Sequence, residues 1–230
     1  MKLITVCILI VFSSIGFVQA QEIAKDDALA SAGWRELVFD GKIPNTFVQG
    51  FDKSIEVKSD KSVSLLYKKV DINLVETPKL SWAWKVEKSV PITDLSVKGK
   101  DDRALAVYVS FPFDEERAGF WERFIRSFVV AFKGEDTPGR VISYVWGGDV
   151  QIGTVLESPY LKDAGAMIAL QKAKTFGSAW QFERVDVAKD YERIFGMPAN
   201  RPFQIAISAD TDDTLVDSLG WIKNLRFERD

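Results

Sequence analysis

Two stretches constrain the fold more than any others in this chain, residues 79–87 (KLSWAWKVE) and 104–111 (ALAVYVSF). In the first, Leu80, Trp82, Trp84 and Val86 alternate with Ser81, Ala83, Lys85 and Glu87. In the second, Leu105, Val107, Val109 and Phe111 alternate with Ala104, Ala106, Tyr108 and Ser110. A period of two belongs to a strand, whose successive side chains leave opposite faces. Two strands with one large apolar face and one small or polar face predict the centre of an antiparallel sandwich.

Runs over residues 34–39, 46–51, 54–58, 62–68, 141–147, 151–156, 166–172, 179–187, 202–209 and 221–227 read as further short strands. Turn residues such as Asp40-Gly41 and Gly147-Gly148 separate them. The spacing predicts an all-β fold, an antiparallel β-sandwich of jelly-roll type like that of carbohydrate-binding modules. Two stretches carry a helical period instead. Behind a candidate N-cap at Asp114, the residues Phe120, Trp121, Phe124, Ile125 and Phe128 form an i, i+4 stripe, which predicts one inserted amphipathic helix over 114–128. That stripe either packs on the domain's own sheet or serves as a lid, a protein-partner contact or a membrane-surface contact. A short helix is expected over 188–195, closed by Gly196 with Pro198 just beyond.

Residues 1–20 hold an early Lys2, an apolar run over 3–12 and a small-residue exit at Val18-Gln19-Ala20. This predicts a secretory signal peptide cleaved after Ala20, and a periplasmic or extracellular protein. An N-terminal arm is expected over 21–33 and a single sandwich domain over 34–230. No later apolar run reaches the ~18 residues a membrane-spanning helix needs, so no span is expected.

The single cysteine, Cys7, falls within the expected signal peptide, and the chain has no histidine. The mature protein therefore has no disulfide, and its core must hold it together. Ser-His-Asp and Cys-His catalysis, His- or Cys-ligated zinc and thiol redox chemistry are excluded. Carboxylate, lysine or tyrosine catalysis and oxygen-ligated ions remain. Removing Lys2 from the 30 basic residues leaves 29 against 33 acidic ones, a formal charge of −4. With both signs scattered, nucleic acid is not an expected partner.

If the central strands are neighbours, Ser81, Ala83, Lys85, Ala104, Ala106, Tyr108, Ser110, Glu183, Gln204 and Ser208 line one shared face. Tyr144 and Trp146 flank it. This predicts a shallow cleft for a polar ligand such as a sugar, with Lys85, Glu183 and Gln204 donating or accepting hydrogen bonds. The alternative is a solvated or covered outer sheet. Trp82 and Trp84 belong to the core, while Trp146 and Trp180 are the candidates for exposure. Asp101-Asp102-Arg103 is either a loop with an internal ion pair or a clamp for an anionic or hydroxylated group. Asp210, Asp212 and Asp213 offer three carboxylates in one short segment. They read either as oxygen ligands for calcium or as a tight turn held by Asp and Thr side chains. No other cofactor is expected.

Several motifs appear in order: Leu80-Ser-Trp-Ala-Trp-Lys-Val, Lys100-Asp-Asp-Arg-Ala, Tyr144-Val-Trp-Gly, Glu183-Arg-Val-Asp-Val with Asp190-Tyr and Phe195-Gly, and Ile205-Ala-Ile-Ser-Ala-Asp-Thr-Asp-Asp-Thr. Together, over residues 34–227, they resemble the secreted bacterial family called domain of unknown function 3047. The resemblance implies no activity, and the 114–128 helix is longer than the family pattern leads one to expect. The residues favour a non-catalytic envelope module that binds a carbohydrate or similar polar ligand. The alternatives are a carboxylate-dependent carbohydrate-active enzyme, in which Glu183, Asp101 and Asp102 serve, and a protein-interaction module using the 114–128 helix.

Overall fold

A computed structural model of the chain describes residues 19–114, 116, 138–199 and 201–230. The expected 114–128 helix lies outside these apart from Asp114 and Glu116, and so does most of the expected signal peptide. β1 (Gln19–Ile23) pairs antiparallel with β2 (Arg35–Phe39), and cleavage after Ala20 would leave Gln21, Glu22 and Ile23 in that ladder. Between them α1 (Asp27–Ser31) starts at the N-cap Asp26, whose side chain accepts from the Leu29 amide at 2.9 Å.

The remaining strands are β3 (Thr46–Gln49), β4 (Ile55–Asp60), β5 (Ser64–Lys69), β6 (Lys79–Lys88), β7 (Arg103–Phe111), β8 (Arg140–Trp146), β9 (Val155–Ser158), β10 (Lys162–Gln171), β11 (Gln181–Asp186), β12 (Gln204–Asp210) and β13 (Asp217–Glu228). They form an eight-stranded sheet, β1-β2-β5-β12-β7-β8-β10-β9, and a five-stranded sheet, β11-β6-β13-β4-β3. Among the described strands every pairing is antiparallel except β8 with β10. Strands β5, β6 and β7 alternate between the sheets, as do β11, β12 and β13. The result is the all-β sandwich of jelly-roll type that the strand spacing predicts. The short helix α2 (Val187–Phe195) also forms where expected, N-capped by Asp186 and closed by Gly196 at a φ of 70°.

The two central strands are not neighbours: β6 lies in the five-stranded sheet and β7 in the eight-stranded one. Their apolar faces meet across the sandwich, where Leu80, Trp82, Trp84 and Val86 share one buried cluster with Leu105, Val107, Val109 and Phe111. Their small and polar faces therefore point away from each other, and the shared face does not form. Large rings fill the middle. Trp82 and Trp84 meet edge to face with centroids 5.4 Å apart, Tyr144 lies 5.6 Å from Trp82, and Trp146 lies 5.3 Å from Trp84. Across this layer β13 approaches β7 so closely that a Cβ on Gly220 would come within 2.7 Å of Leu105 Cδ1.

Candidate functional site

At one end of the sandwich, pairing between β7 and β12 joins two charged motifs distant in sequence. After a bulge between Ser208 and Asp210, Asp210 stands opposite Arg103. The Arg103 guanidinium donates through Nη1 to the Asp101 carbonyl at 2.8 Å and to Asp101 Oδ2 at 3.0 Å, and through Nη2 to the Tyr108 hydroxyl at 2.8 Å. Asp210 Oδ2 lies 3.3 Å from Nη2. A planar fork with several fixed donors suits this junction better than the point charge of a lysine. Burial disfavours the charge on Arg103, but Tyr108, Asp210 and Asp101 outweigh it, so the group stays protonated. Burial also pushes the Tyr108 hydroxyl up, keeping it a neutral donor and acceptor.

Asp102 is fully buried, and its carboxylate accepts from the Asp213 amide at 3.4 Å and from the amide and hydroxyl of Thr214, the former at 2.7 Å. It thereby ties the turn after β12 to the loop before β7. Asp212 pairs with Lys42, whose side chain is partly exposed. One carboxylate oxygen each from Asp102, Asp210 and Asp212 lies within 4.8 Å of the other two. Burial drives the Asp210 carboxyl well above the usual carboxylate range against the pull of Arg103. Asp212 falls below that range despite its own burial, held ionised by hydrogen bonds from Asp210 and Lys42. Asp213 is exposed and stands outside the trio. The carboxylate set expected from sequence therefore changes by one member, because Asp102 turns inward and Asp213 does not.

The outer face of the five-stranded sheet carries a different arrangement. Lys85 stands opposite Trp221 in the β6–β13 register, and Lys223 and Phe182 both stand opposite Ala83. The Lys85 ammonium lies 4.2 Å from the Trp221 ring centroid and 5.5 Å from that of Trp180, and Lys223 lies 4.0 Å from Trp180. Glu87 accepts from Lys85 at 2.6 Å. Phe182 is 77% exposed. Of this group the sequence reading singled out Lys85 and Trp180. It missed Trp221, Phe182 and Lys223, although Trp221 and Lys223 flank the buried Ile222 at the right parity.

Four expected site residues, Tyr144, Trp146, Glu183 and Gln204, lie elsewhere. Tyr144 and Trp146 are buried in the core, not exposed beside a cleft, because distant groups satisfy their polar atoms. The Tyr144 hydroxyl donates to Asp190 Oδ2 at 3.0 Å, and Trp146 Nε1 donates to the Thr175 carbonyl at 2.6 Å. Glu183 shares the core-facing parity of Trp82 on the edge strand β11, where its Oε1 accepts from Trp84 Nε1 at 3.1 Å and from Gln171 Nε2 at 2.8 Å. Burial pushes its carboxyl above the usual range against both hydrogen bonds. Gln204 is buried on the outer side of the eight-stranded sheet, in register with Ser110. It shares that side with Tyr108 and neither side with Lys85.

A family model described as a protein of unknown function (DUF3047) matches residues 32–226. No curated protein matches the chain. Among solved structures, the xyloglucanase domain of NopAA, a type three effector from Sinorhizobium fredii in complex with cellobiose, is 11% identical, with 86% of this chain and 95% of that chain covered and a TM-score of 0.43. The endoglucanase cel12A from Rhodothermus marinus is 10% identical over 93% of this chain and 96% of that chain, also with a TM-score of 0.43. A likeness at this level assigns no role to any residue here.

Proposed function

This chain belongs to the DUF3047 family, whose description names no activity, and we propose that it is an exported, non-catalytic module that binds a carbohydrate or similar polar ligand on the outer face of its five-stranded sheet. The observation that carries this reading is the row of Trp180 and Trp221 interleaved with Lys85 and Lys223 beside the exposed Phe182. Indole faces stack on the C–H faces of pyranose rings, and ammonium groups at their rims donate to hydroxyls. Export rests on the layout of residues 1–20 and is tested by the mass of the mature N-terminus in an exported fraction, expected to begin at Gln21.

Titrating the full-length mature protein with envelope and plant oligosaccharides should give a saturable change in tryptophan fluorescence. Trp180→Ala and Trp221→Ala should each weaken it about tenfold. No saturable change with any sugar, or one that survives both substitutions, overturns the reading.

Glu183 favours the second reading, a carboxylate-dependent carbohydrate-active enzyme, because burial raises its carboxyl toward the range of a general acid. Release of reducing ends that is lost in Glu183→Gln would support it.

A further inference from the structure

We propose that Asp102, Asp210 and Asp212 form a divalent-cation site of the calcium class, joining the loop before β7 to the turn after β12. The site lies apart from the tryptophan row, and the inference stands whether or not that row binds sugar.

Two independent observations meet here. One carboxylate oxygen from each of the three residues lies within 4.8 Å of the others. Oxygens bound to one calcium at ~2.4 Å stand up to about twice that distance apart, so this spacing is compatible with a common ion. Magnesium, which demands near-ideal octahedral geometry and sheds its water reluctantly, suits a set of three carboxylates less well than calcium does. The second observation is an orphaned acceptor. Asp210 is 7% exposed, its Oδ2 faces Arg103, and its Oδ1 has no hydrogen-bond donor. The Asp210 and Asp212 carboxyls lie within hydrogen-bonding reach of each other, so either the proton that Asp210 gives to Asp212 or a cation stands between the two acids. A buried carboxylate oxygen without a donor is costly, and a hard cation is one partner that would satisfy it.

The surroundings suit an ion that is held firmly on one side and open on the other. Hydrogen bonds from Asp213 and Thr214 pin the Asp102 carboxylate while leaving lone pairs free. Lys42 occupies the solvent side as an internal cation on Asp212, where an entering metal would displace it. Among the described residues, Arg103 pairs with Asp101 and Asp210, and Lys42 with Asp212, so five aspartates, counting Asp102 and Asp213, share two paired cations. Water would complete the coordination shell.

Terbium is the probe, because it replaces calcium and is sensitised by nearby rings such as Tyr108, hydrogen-bonded to Arg103 beside the trio. The full-length mature protein should show saturable terbium emission that calcium competes away more effectively than magnesium. Asp210→Asn and Asp212→Asn should each weaken binding about tenfold or more, as expected for loss of a charged oxygen ligand. Asp213→Asn should leave binding within about twofold, and Lys42→Ala should tighten it several-fold by removing the competing ammonium. If Asp210→Asn does not fold, Asp212→Asn and Lys42→Ala, at less buried positions, carry the same test. Absence of saturable emission overturns the proposal, as does emission insensitive to Asp212→Asn and Lys42→Ala. A melting temperature raised by Asp210→Asn and indifferent to calcium in the wild type overturns it in favour of a proton shared by two carboxylates.

Discussion

The carboxylate of Glu183 accepts the indole hydrogen of Trp84 at 3.1 Å, so a fully buried ring of the core is anchored by an acid on the edge strand of its own sheet. Gln171, from the opposite sheet, donates to the same oxygen at 2.8 Å and makes this acid a bridge across the sandwich.

Burial raises the folded-state pKa of Glu183 above its unfolded value. A raised acid binds its proton more tightly when folded, so its ionisation removes stability as pH rises through the interval between the two values. Glu183→Gln, which keeps an acceptor for Trp84 and Gln171, should therefore gain on the wild type as pH rises from about 4 to 8. Urea denaturation across that range measures the gap. A gap that is constant or shrinks with pH contradicts the assignment.

Removing the fork at the sandwich end should cost far more than removing a surface charge. Arg103→Met leaves Asp101 and Asp210 buried without their cation and should destabilise by about 3–5 kcal/mol. Arg103→Lys should recover only part of this, since one ammonium cannot reach the Asp101 carbonyl, the Tyr108 hydroxyl and Asp210 at once. Chemical denaturation of the two variants checks the order.

Trp84 and Phe182 should separate core from platform. Trp84→Ala empties a fully buried site and should cost about 3–5 kcal/mol, whereas Phe182→Ala, on an exposed ring, should stay within about 0.5 kcal/mol. Thermal melts of both variants, read beside their sugar binding, test the distinction.

Gly220→Ala should destabilise by about 1–3 kcal/mol through overpacking, because its new methyl collides with Leu105 across the core. Leu105→Val in the same chain should recover part of the loss, a coupling that a double-mutant cycle measures.

Alternation in the sequence reveals which side of a strand is apolar, and for β6 and β7 this identified the core residues. It cannot reveal to which sheet a strand belongs, because crossover connections decide that. The expected polar face therefore dissolved once β6 and β7 took opposite sheets. On β11 the apolar side itself misleads: Phe182 faces outward on an edge strand while Glu183 turns in to meet Trp84. Tyr144 and Trp146 share one face of their strand and so are expected to flank the cleft, but that face is the core, and the partners of their polar atoms, Asp190 and Thr175, come from segments with no visible tie to residues 141–147. Both charged motifs of the end cluster stood out in the sequence. Their convergence depends on the β7–β12 register and had no local signal.

The positions of β12 and β13 also dictate an order of assembly. β12 sits between β5 and β7, and β13 between β6 and β4, so these two strands, late in the sequence, fill seats in the interiors of both sheets. Until residues 204–228 have emerged from the ribosome, each sheet stands open with two unpaired edges facing a vacant slot. Neither half can close as synthesis proceeds, and docking must wait for residues 204–228, over long sequence separations that make such folding slow. A chain shortened before residue 204 would lose both keystones together and expose four sticky ladders to its neighbours.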